Sequence, residues 1–208
     1  MGKSIAPFDV EQDNKSLSLF EKDFYEETKF ERLIFTEGKI VKIEFYKCSF
    51  VSCLFTKTVF EKCIFEKCTF TNCDLSIVKF SGSAFIDVKF TDSKMLGIDW
   101  TLAQKPISVN FEKCLLNDSI FYRMDLRSAQ IKKCVAHSAD FEEANLNKSE
   151  CCQTDFLNSK FNGANLSFSD FTGAINYSIN PNNTKIKKAK FSLPEAIVLL
   201  DAWDIIIE

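Results

Sequence analysis

Nine cysteines and a single histidine, His137, are the most obvious candidates for chemistry in this 208-residue sequence. Thiolates and imidazoles bind zinc, thiols form disulfides, and either group can act in covalent catalysis. Zinc sites usually use closely paired C-x-x-C clusters. Here Cys53, Cys63, Cys68 and Cys73 follow one another at intervals of five or ten residues. This regular spacing indicates that the cysteines belong to a repeat.

The repeat places a large apolar residue at every fifth position. From residue 20 to residue 95, twelve of sixteen such positions are Phe, and after a shift of one residue the spacing continues from Phe111 to Phe171. The position two residues earlier is nearly always small, and the other positions hold most of the charged side chains. A period of five fits neither a helix nor a flat strand. It predicts a coil in which five residues form one side and one corner, and such coils must stack to bury their apolar face.

The stacked coils predict a core ladder of aromatic rings. Its members are Phe45, Phe50, Phe55, Phe60, Phe65, Phe70, Phe80, Phe85, Phe90, Phe111, Phe121, Phe141, Phe156, Phe161 and Phe171. Seven of the nine cysteines occupy the small inward slot. Because a free cysteine behaves as a small buried hydrophobe, we prefer this interpretation to a metal site or a disulfide framework. Only Cys151 and Cys152 depart from the slot, and Cys152 is the candidate reactive thiol.

This pattern resembles the pentapeptide-repeat proteins, whose motif is A(D/N)LXX with a central Leu or Phe. The resemblance is carried by FNGANLSFSDFTGAINY at 161–177, ADFEEANLNKS at 139–149 and TNCDL at 71–75, and it extends over residues 20–191. It implies an all-β fold, a right-handed quadrilateral parallel β-helix with four pentapeptides per turn. At ~4.8 Å per coil, about seven coils would make a rod of ~35 Å.

Five segments follow from the repeat and its interruptions. They are an acidic N-terminal cap (1–19), a first block of coils (20–96), a phase-breaking loop (97–110), a second block of coils (111–191), and a C-terminal helix and tail (192–208). Pro106 cannot donate a ladder hydrogen bond, which places the loop around it. The loop is either a tolerated insertion that offsets two half-rods or an exposed partner site formed by Trp100, Lys105 and Pro106.

The C-terminal segment predicts a helix that closes the end of the core. SLPE at 192–195 has the form of a capping box, EAIVLLDAW should be helical, and DIIIE should form a short strand tail. Its apolar residues cover more than one face, which favours a partner. Resemblance to Qnr-type quinolone-resistance proteins implies a tail-to-tail homodimer. The expected interface residues are Ile197, Leu199, Leu200, Trp203, Ile205 and Ile207.

Composition and motifs argue against most enzymatic functions. The net charge of −3 provides no basic field for direct nucleic-acid binding, and no apolar run reaches the ~20 residues of a membrane span. There is no Gly-rich phosphate loop or H-E-x-x-H motif. His137 should point outward and Cys134 inward, so they should not form a catalytic pair. We expect a cytoplasmic, non-enzymatic protein without cofactor or metal.

Two functions remain open. The first is a rigid protein-interaction scaffold with an unknown cytosolic partner. The second, implied by the Qnr-type resemblance, is a DNA mimic that binds DNA gyrase or topoisomerase IV and protects them from quinolones. Duplex DNA carries one negative charge per ~1.7 Å, far more than this chain offers, so mimicry requires the acidic side chains to gather on one continuous face. Asp125, Asn145 and Asn165 should stack as a polar ladder on one face.

Overall fold

The computed structural model describes residues 4–5, 22–203 and 205, which build a parallel β-solenoid of about 8 turns. Strand pairing joins residues twenty apart, as in Phe30 with Phe50 and Phe50 with Phe70. Each turn therefore takes four pentapeptides. The predicted quadrilateral β-helix is confirmed, with about one turn more than the spacing suggested.

The solenoid has four faces, each a stack of short parallel segments. Face 1 holds β2 (Phe24–Glu26), β5 (Glu44–Tyr46), β8 (Ile64–Glu66) and β10 (Ala84–Ile86), and later the ladder Asp125, Asn145, Asn165 and Lys185. Face 2 holds β1 (Ser4–Ile5), β3 (Lys29–Glu31), β6 (Ser49–Val51), β9 (Thr69–Thr71), β11 (Val88–Thr91), β12 (Val109–Glu112), β13 (Ile131–Lys132), β14 (Asp170–Phe171) and β15 (Lys190–Phe191).

The other two faces are built mainly from isolated bridges. Face 3 is the ladder Ile34, Leu54, Asp74, Lys94, Leu115, Val135, Asp155 and Ile175. Face 4 holds β4 (Lys39–Val41) and β7 (Val59–Glu61), followed by Lys79 and the ladder Asp99, Ile120, Asp140 and Lys160.

Aromatic rings fill the core in two arrangements. Rings on the same face of successive turns stack, as in Phe50 and Phe70 with centroids 4.4 Å apart and planes at 7°. Rings on adjacent sides of one turn meet edge to face, as in Phe65 and Phe70 at 5.6 Å and 63°. Both arrangements suit the quadrupole of the ring. All fifteen Phe residues of the predicted ladder lie in this core, each at most 2% exposed.

The small inward residues also form hydrogen bonds to the backbone of the preceding turn. Their hydroxyl or thiol groups donate to the carbonyl of a central residue one turn earlier, as Thr58 does to Phe35 (2.7 Å) and Thr154 to Ile131 (2.6 Å). Cys68 donates in the same way to the Phe45 carbonyl at 3.2 Å. A buried carbonyl that lacks a donor costs free energy. The slot therefore accepts Ser, Thr and Cys as readily as Ala.

The corners of the coil require left-handed backbone. Lys62 and Lys133, for example, have φ of 53° and 54°, and they are two of twenty-six non-glycine residues with positive φ in the described chain. Most of these corner residues are charged or polar. Only Ile77 and Phe168 among them are apolar.

The phase break is a short bulge, and it corrects one expectation. Phe90 pairs with Phe111, so the turn between them contains one extra residue. Amide groups of Gln104 and Ser108 donate to Ser83 and Phe85 of the preceding turn at 2.8 and 2.9 Å, and the chain between them, including exposed Lys105 and Pro106, loops outward.

Trp100 does not belong to the exposed part of this bulge. Its side chain is 0% exposed, and its ring lies 5.2 Å from Phe80 and 6.1 Å from Phe121. The expectation of an exposed Trp100 is wrong because the residue occupies a central inward position of the repeat. Trp100 is the first residue of a 3-10 turn, Trp100–Leu102.

The C-terminal helix is a 3-10 helix, Glu195–Trp203. Val198 and Leu199 pack partly against the core. The hydroxyl of Ser192 accepts a hydrogen bond from the Gly173 amide at 3.0 Å, which ties it to the preceding turn instead of the predicted capping box. Apart from Ile205, the expected strand tail lies outside the described residues, and so does the expected N-terminal cap apart from β1. In the described part of the chain, no helix has the length and apolarity to cross a bilayer.

Candidate interaction surfaces

The cysteine thiols are arranged as packing groups. Eight of the nine are buried, and Cys152 is half-buried. Burial raises the pKa of Cys151 to about 12 and also raises the pKa of Cys63 and Cys152. Because the thiolate is the nucleophile, these raised pKa values oppose reactivity.

Three pairs of cysteines stack on successive turns. In each pair the later member, Cys68, Cys73 or Cys134, has a raised pKa because of the hydrogen bond between the two thiols and because of burial. Among the described residues, no group of three or more His, Cys, Asp and Glu side chains is placed to hold a metal ion.

His137 has an acidic partner that its sequence position did not reveal. Its Nε2 lies 2.9 Å from Oδ2 of Asp155 on the next turn of face 3. Asp155 also accepts from Asn176 at 2.8 Å and from the Leu157 amide at 3.1 Å. Burial acts to raise the pKa of Asp155, but the hydrogen bonds from Asn176 and His137 outweigh it and lower that pKa. The Cys134 thiol is buried and donates to the Lys132 carbonyl, away from this surface pair.

Carboxylates and cations alternate over much of the surface. Lys57 pairs with Glu37 at 2.6 Å, Lys89 with Glu112 at 2.9 Å, and Arg123 with Glu143 at 2.7 Å. These pairs link residues on successive turns, one above the other. On the described residues, the acidic side chains are therefore interleaved with lysines and do not gather on one continuous face.

Face 3 carries four exposed large apolar side chains, against three on face 1 and three on face 4. Ile34, Ile77, Leu157 and Ile175 are 46%, 51%, 41% and 39% exposed. Ile34 and Ile175 belong to the bridge ladder of face 3, Ile77 is at its left-handed corner, and Leu157 lies between the ladder residue Asp155 and the corner residue Asn158. Adjacent exposed apolar side chains are typical of a protein-interaction surface, and Leu157 and Ile175 lie on successive turns of this face.

Face 1 carries a groove at the phase break. The groove has a volume of about 540 Å³, and its lining includes Pro106, Ser108, Asn110, Arg127, Asn147 and Lys148. It opens where the bulge leaves the coil. Lys105 lies in the same bulge, outside the lining of the groove. Beyond the groove, the predicted polar ladder is present, with Asn165 Nδ2 donating to Asn145 Oδ1 at 3.1 Å.

The predicted dimer residues divide into two groups. Ile197, Trp203 and Ile205 are 43%, 52% and 53% exposed. Leu199 and Leu200 are half-buried, and Leu199 packs against the core. Ile207 lies outside the described residues.

Comparison with known proteins agrees with this architecture. One family model, a pentapeptide repeat region, matches residues 43–105, and a second, pentapeptide repeats in 8 copies, matches residues 139–175. The chain belongs to the pentapeptide-repeat family. No curated protein sequence matches the chain.

Solved structures show the same fold at low sequence identity. A trypsin-treated variant of QnrB1, a plasmid-mediated fluoroquinolone resistance protein, superimposes with a TM-score of 0.65 at 18% identity, covering 89% of this chain and 90% of that one. HetL, a pentapeptide-repeat protein involved in heterocyst differentiation regulation in the cyanobacterium Nostoc sp. strain PCC 7120, gives a TM-score of 0.56 at 15% identity, covering 81% of this chain and 86% of that one.

Proposed function

We propose that this protein is a non-enzymatic, rigid scaffold that binds a partner protein through the side faces of its solenoid. The observation that carries the proposal is the set of exposed apolar side chains on face 3. Ile77 supports it most directly, because it is 51% exposed and sits at a left-handed corner with φ of 59°. A β-branched residue is costly in that backbone conformation, and an exposed one recovers little by packing within the chain.

Rigidity makes such a face useful for binding. Its apolar side chains are mounted on a backbone that hydrogen-bonds from turn to turn and on a core of stacked rings. A preorganised surface loses little conformational entropy when a partner binds. We propose a cytosolic partner, in keeping with the many free cysteines in the chain.

Site-specific photocrosslinking in the native cell tests the scaffold function. A photoreactive amino acid at Ile77 or Leu157 should trap one partner protein reproducibly, and the same probe at Thr69, an exposed residue of face 2, should not. The partner is then purified and its affinity measured against the double variant Ile77→Asp, Leu157→Asp. Identical adducts from both faces, or an unchanged affinity of the double variant, would contradict binding through face 3.

An alternative function is a Qnr-like DNA mimic that binds DNA gyrase or topoisomerase IV and gives quinolone protection. The similarity in fold to QnrB1 over most of both chains favours it. The interleaved charges of the described surface weigh against it. A gyrase supercoiling assay, with and without ciprofloxacin, decides the matter. Rescue or inhibition at micromolar protein or below would establish a topoisomerase partner, and no effect in either format would reject this alternative.

We also propose a homodimer formed by the C-terminal 3-10 helix. Support comes from Ile197, Trp203 and Ile205, which are exposed at the end of the rod. In the sequence, Ile207 extends this apolar segment. A dimer through these residues would cover the apolar end and double the length of the scaffold.

A further inference from the structure

The second half of face 1 carries more positive than negative charge. Residues 125–128, 145–148, 165–168 and 185–188 make up its outward positions, its central inward residues and its corner. They include five cations against one carboxylate, a net charge of +4. The single carboxylate, Asp125, is already bound by Arg127 through hydrogen bonds of 2.6 and 2.8 Å. The lysines of this half-face are therefore left to balance some other charge.

Four exposed lysines define this surface. Lys148, Lys185, Lys187 and Lys188 form no ion pair within the described residues. Some other lysines of the rod pair with a carboxylate one turn away, as Lys57 does with Glu37 on the preceding turn. We call the four lysines together with Phe168 the lysine strip.

Phe168 stands at the centre of the strip. It lies at a corner between Lys148 and Lys188, each one turn away, and the Nζ of Lys188 is 5.7 Å from its ring centroid. The ring is 47% exposed and the backbone is left-handed, with φ of 62°. A bulky residue is disfavoured in that conformation, and this one fills no part of the core. Strain of this kind is typical of functional positions.

We propose that the lysine strip binds an extended acidic polypeptide segment of a partner protein, with an apolar side chain of that segment packed on Phe168. This inference rests on the proposed scaffold function and adds a second contact surface to it. The lysines supply the charge complementarity, and the groove at the phase break continues the same surface through Arg127, Asn147 and Lys148. A segment lying along face 1 can thus run from the groove to the last turn.

The shape of the strip favours a polypeptide over a nucleic acid. It is one face wide and is flanked by ion pairs on both sides, Arg123 with Glu143 at the preceding corner and Lys132 with Glu150 and Lys190 with Asp170 on face 2. A duplex would overhang these flanks, where the paired charges leave no net positive charge for its phosphates. Proteins that bind single strands stack successive bases on several aromatic side chains, whereas this strip presents one ring.

Fluorescence anisotropy tests the proposal directly. The probe is a fluorescein-labelled peptide of alternating glutamate and serine with one central phenylalanine, added to the full-length protein. We expect saturable binding that Lys185→Glu, Lys187→Glu, Lys188→Glu weakens about tenfold or more, because the new carboxylates repel the peptide. A matched triple, Lys42→Glu, Lys62→Glu, Lys79→Glu, reverses as many exposed lysines on face 4 and should weaken binding less than about twofold.

Phe168→Gly separates binding from folding. Glycine relieves the left-handed corner, so this variant should unfold at a higher denaturant concentration than the parent chain. The same change should weaken peptide binding about fivefold, because the apolar contact is lost. A variant that is more stable and binds less cannot owe its binding defect to misfolding.

Three results would overturn the proposal. One is the absence of saturable peptide binding by the parent protein, and another is equal weakening by the two lysine triples. The third is tighter binding of fluorescein-labelled oligothymidylate than of the peptide, which would assign the strip to nucleic acid. Crosslinking from face 3 does not depend on the strip, so it would persist if the strip proposal alone were wrong.

Discussion

Single residues in this fold are governed by their place within the pentapeptide. The central residue is packed on all sides, the small residue caps a carbonyl, and the corner residue is left-handed. The same amino acid therefore has very different consequences at different slots. Phe65 is fully buried, while Phe24, one residue before a central position, is 47% exposed.

Phe65→Ala tests the central slot. The ring stacks on Phe45 at 5.1 Å and on Phe85 at 5.2 Å, so its removal leaves a cavity between rings held by neighbouring turns. We expect the free energy of unfolding to fall by about 3–5 kcal/mol in a denaturant melt. Phe24→Ala is the control and should cost less than ~1 kcal/mol, because the ring is half exposed. A loss under ~1 kcal/mol for Phe65→Ala would contradict the assignment of this slot to the core.

Lys133→Gly tests the corner slot. This residue has φ of 54°, a conformation that costs an L-residue about 1–2 kcal/mol and glycine almost nothing. The variant should gain about 0.5–1 kcal/mol in unfolding free energy, the remainder being offset by the greater chain entropy of glycine. Lys160→Gly, at an exposed bridge position of face 4 with ordinary backbone, should instead lose stability. If both variants change the unfolding free energy in the same direction, strain at the corner does not explain the effect of Lys133→Gly.

Asp170 contributes to the loss of folding stability at acidic pH. Burial acts to raise its pKa, but hydrogen bonds from Thr172 and Lys190 prevail and lower it to about 2. A carboxyl with a lowered folded-state pKa stabilises the fold above its unfolded pKa, and this contribution is lost as the pH falls from about 4 to about 2. Urea melts across this window should show that Asp170→Asn loses less stability than the parent chain. If both proteins lose the same unfolding free energy as the pH falls, Asp170 does not contribute to the loss of stability in acid.

At the scale of elements, the bulge and the C-terminal helix are where the repeat is interrupted. The bulge adds one residue to a turn without disturbing the rings, since Trp100 still overlaps Phe121 with planes at 15°. The C-terminal helix covers the last turn through Val198 and Leu199 and turns Ile197 and Trp203 outward. One interruption thus creates a groove on a side face, and the other creates an apolar end.

Truncation after Phe191 tests the terminal element. Without the 3-10 helix, the last aromatic rings face solvent and the proposed dimer surface is gone. By light scattering we expect monomers or aggregates of the truncated chain and a dimer of the full chain. The variant Trp203→Ser keeps the segment that covers the core and should weaken the dimer alone. An unchanged dimer mass after truncation would rule out the tail-to-tail arrangement.

As a whole molecule, the rod is a linear stack in which each turn contacts only its neighbours. Stability in such an array is close to a sum of turn and interface contributions. The length of the rod is therefore adjustable, provided that the four faces stay aligned. This property distinguishes the solenoid from a globular core, in which removal of a segment of similar size is rarely tolerated.

Excision of residues 131–150 tests this property. These residues make up one turn, so Cys151 would stack on Phe111 in place of Ile131, and every face would keep its register. We expect a folded, shorter rod with an unchanged type of circular dichroism spectrum and a lower melting temperature. Excision of residues 131–148 removes nearly as much chain but breaks the phase, and it should not give a cooperative melt. Equal behaviour of the two deletions would contradict the linear model.

The sequence by itself determined the architecture, because a strict spacing of five leaves the backbone only one way to bury both inward residues. The aromatic core, the packing role of most cysteines and the stacking of Asp125, Asn145 and Asn165 followed from counting along the chain. The spacing along the chain does not determine which side chains contact one another between successive turns. The pairing of His137 with Asp155, the inward Trp100, the Ser192 contact with Gly173 and the lysine strip around Phe168 required the tertiary structure. Each depends on which residues a turn of twenty, or of twenty-one at the bulge, places directly above one another.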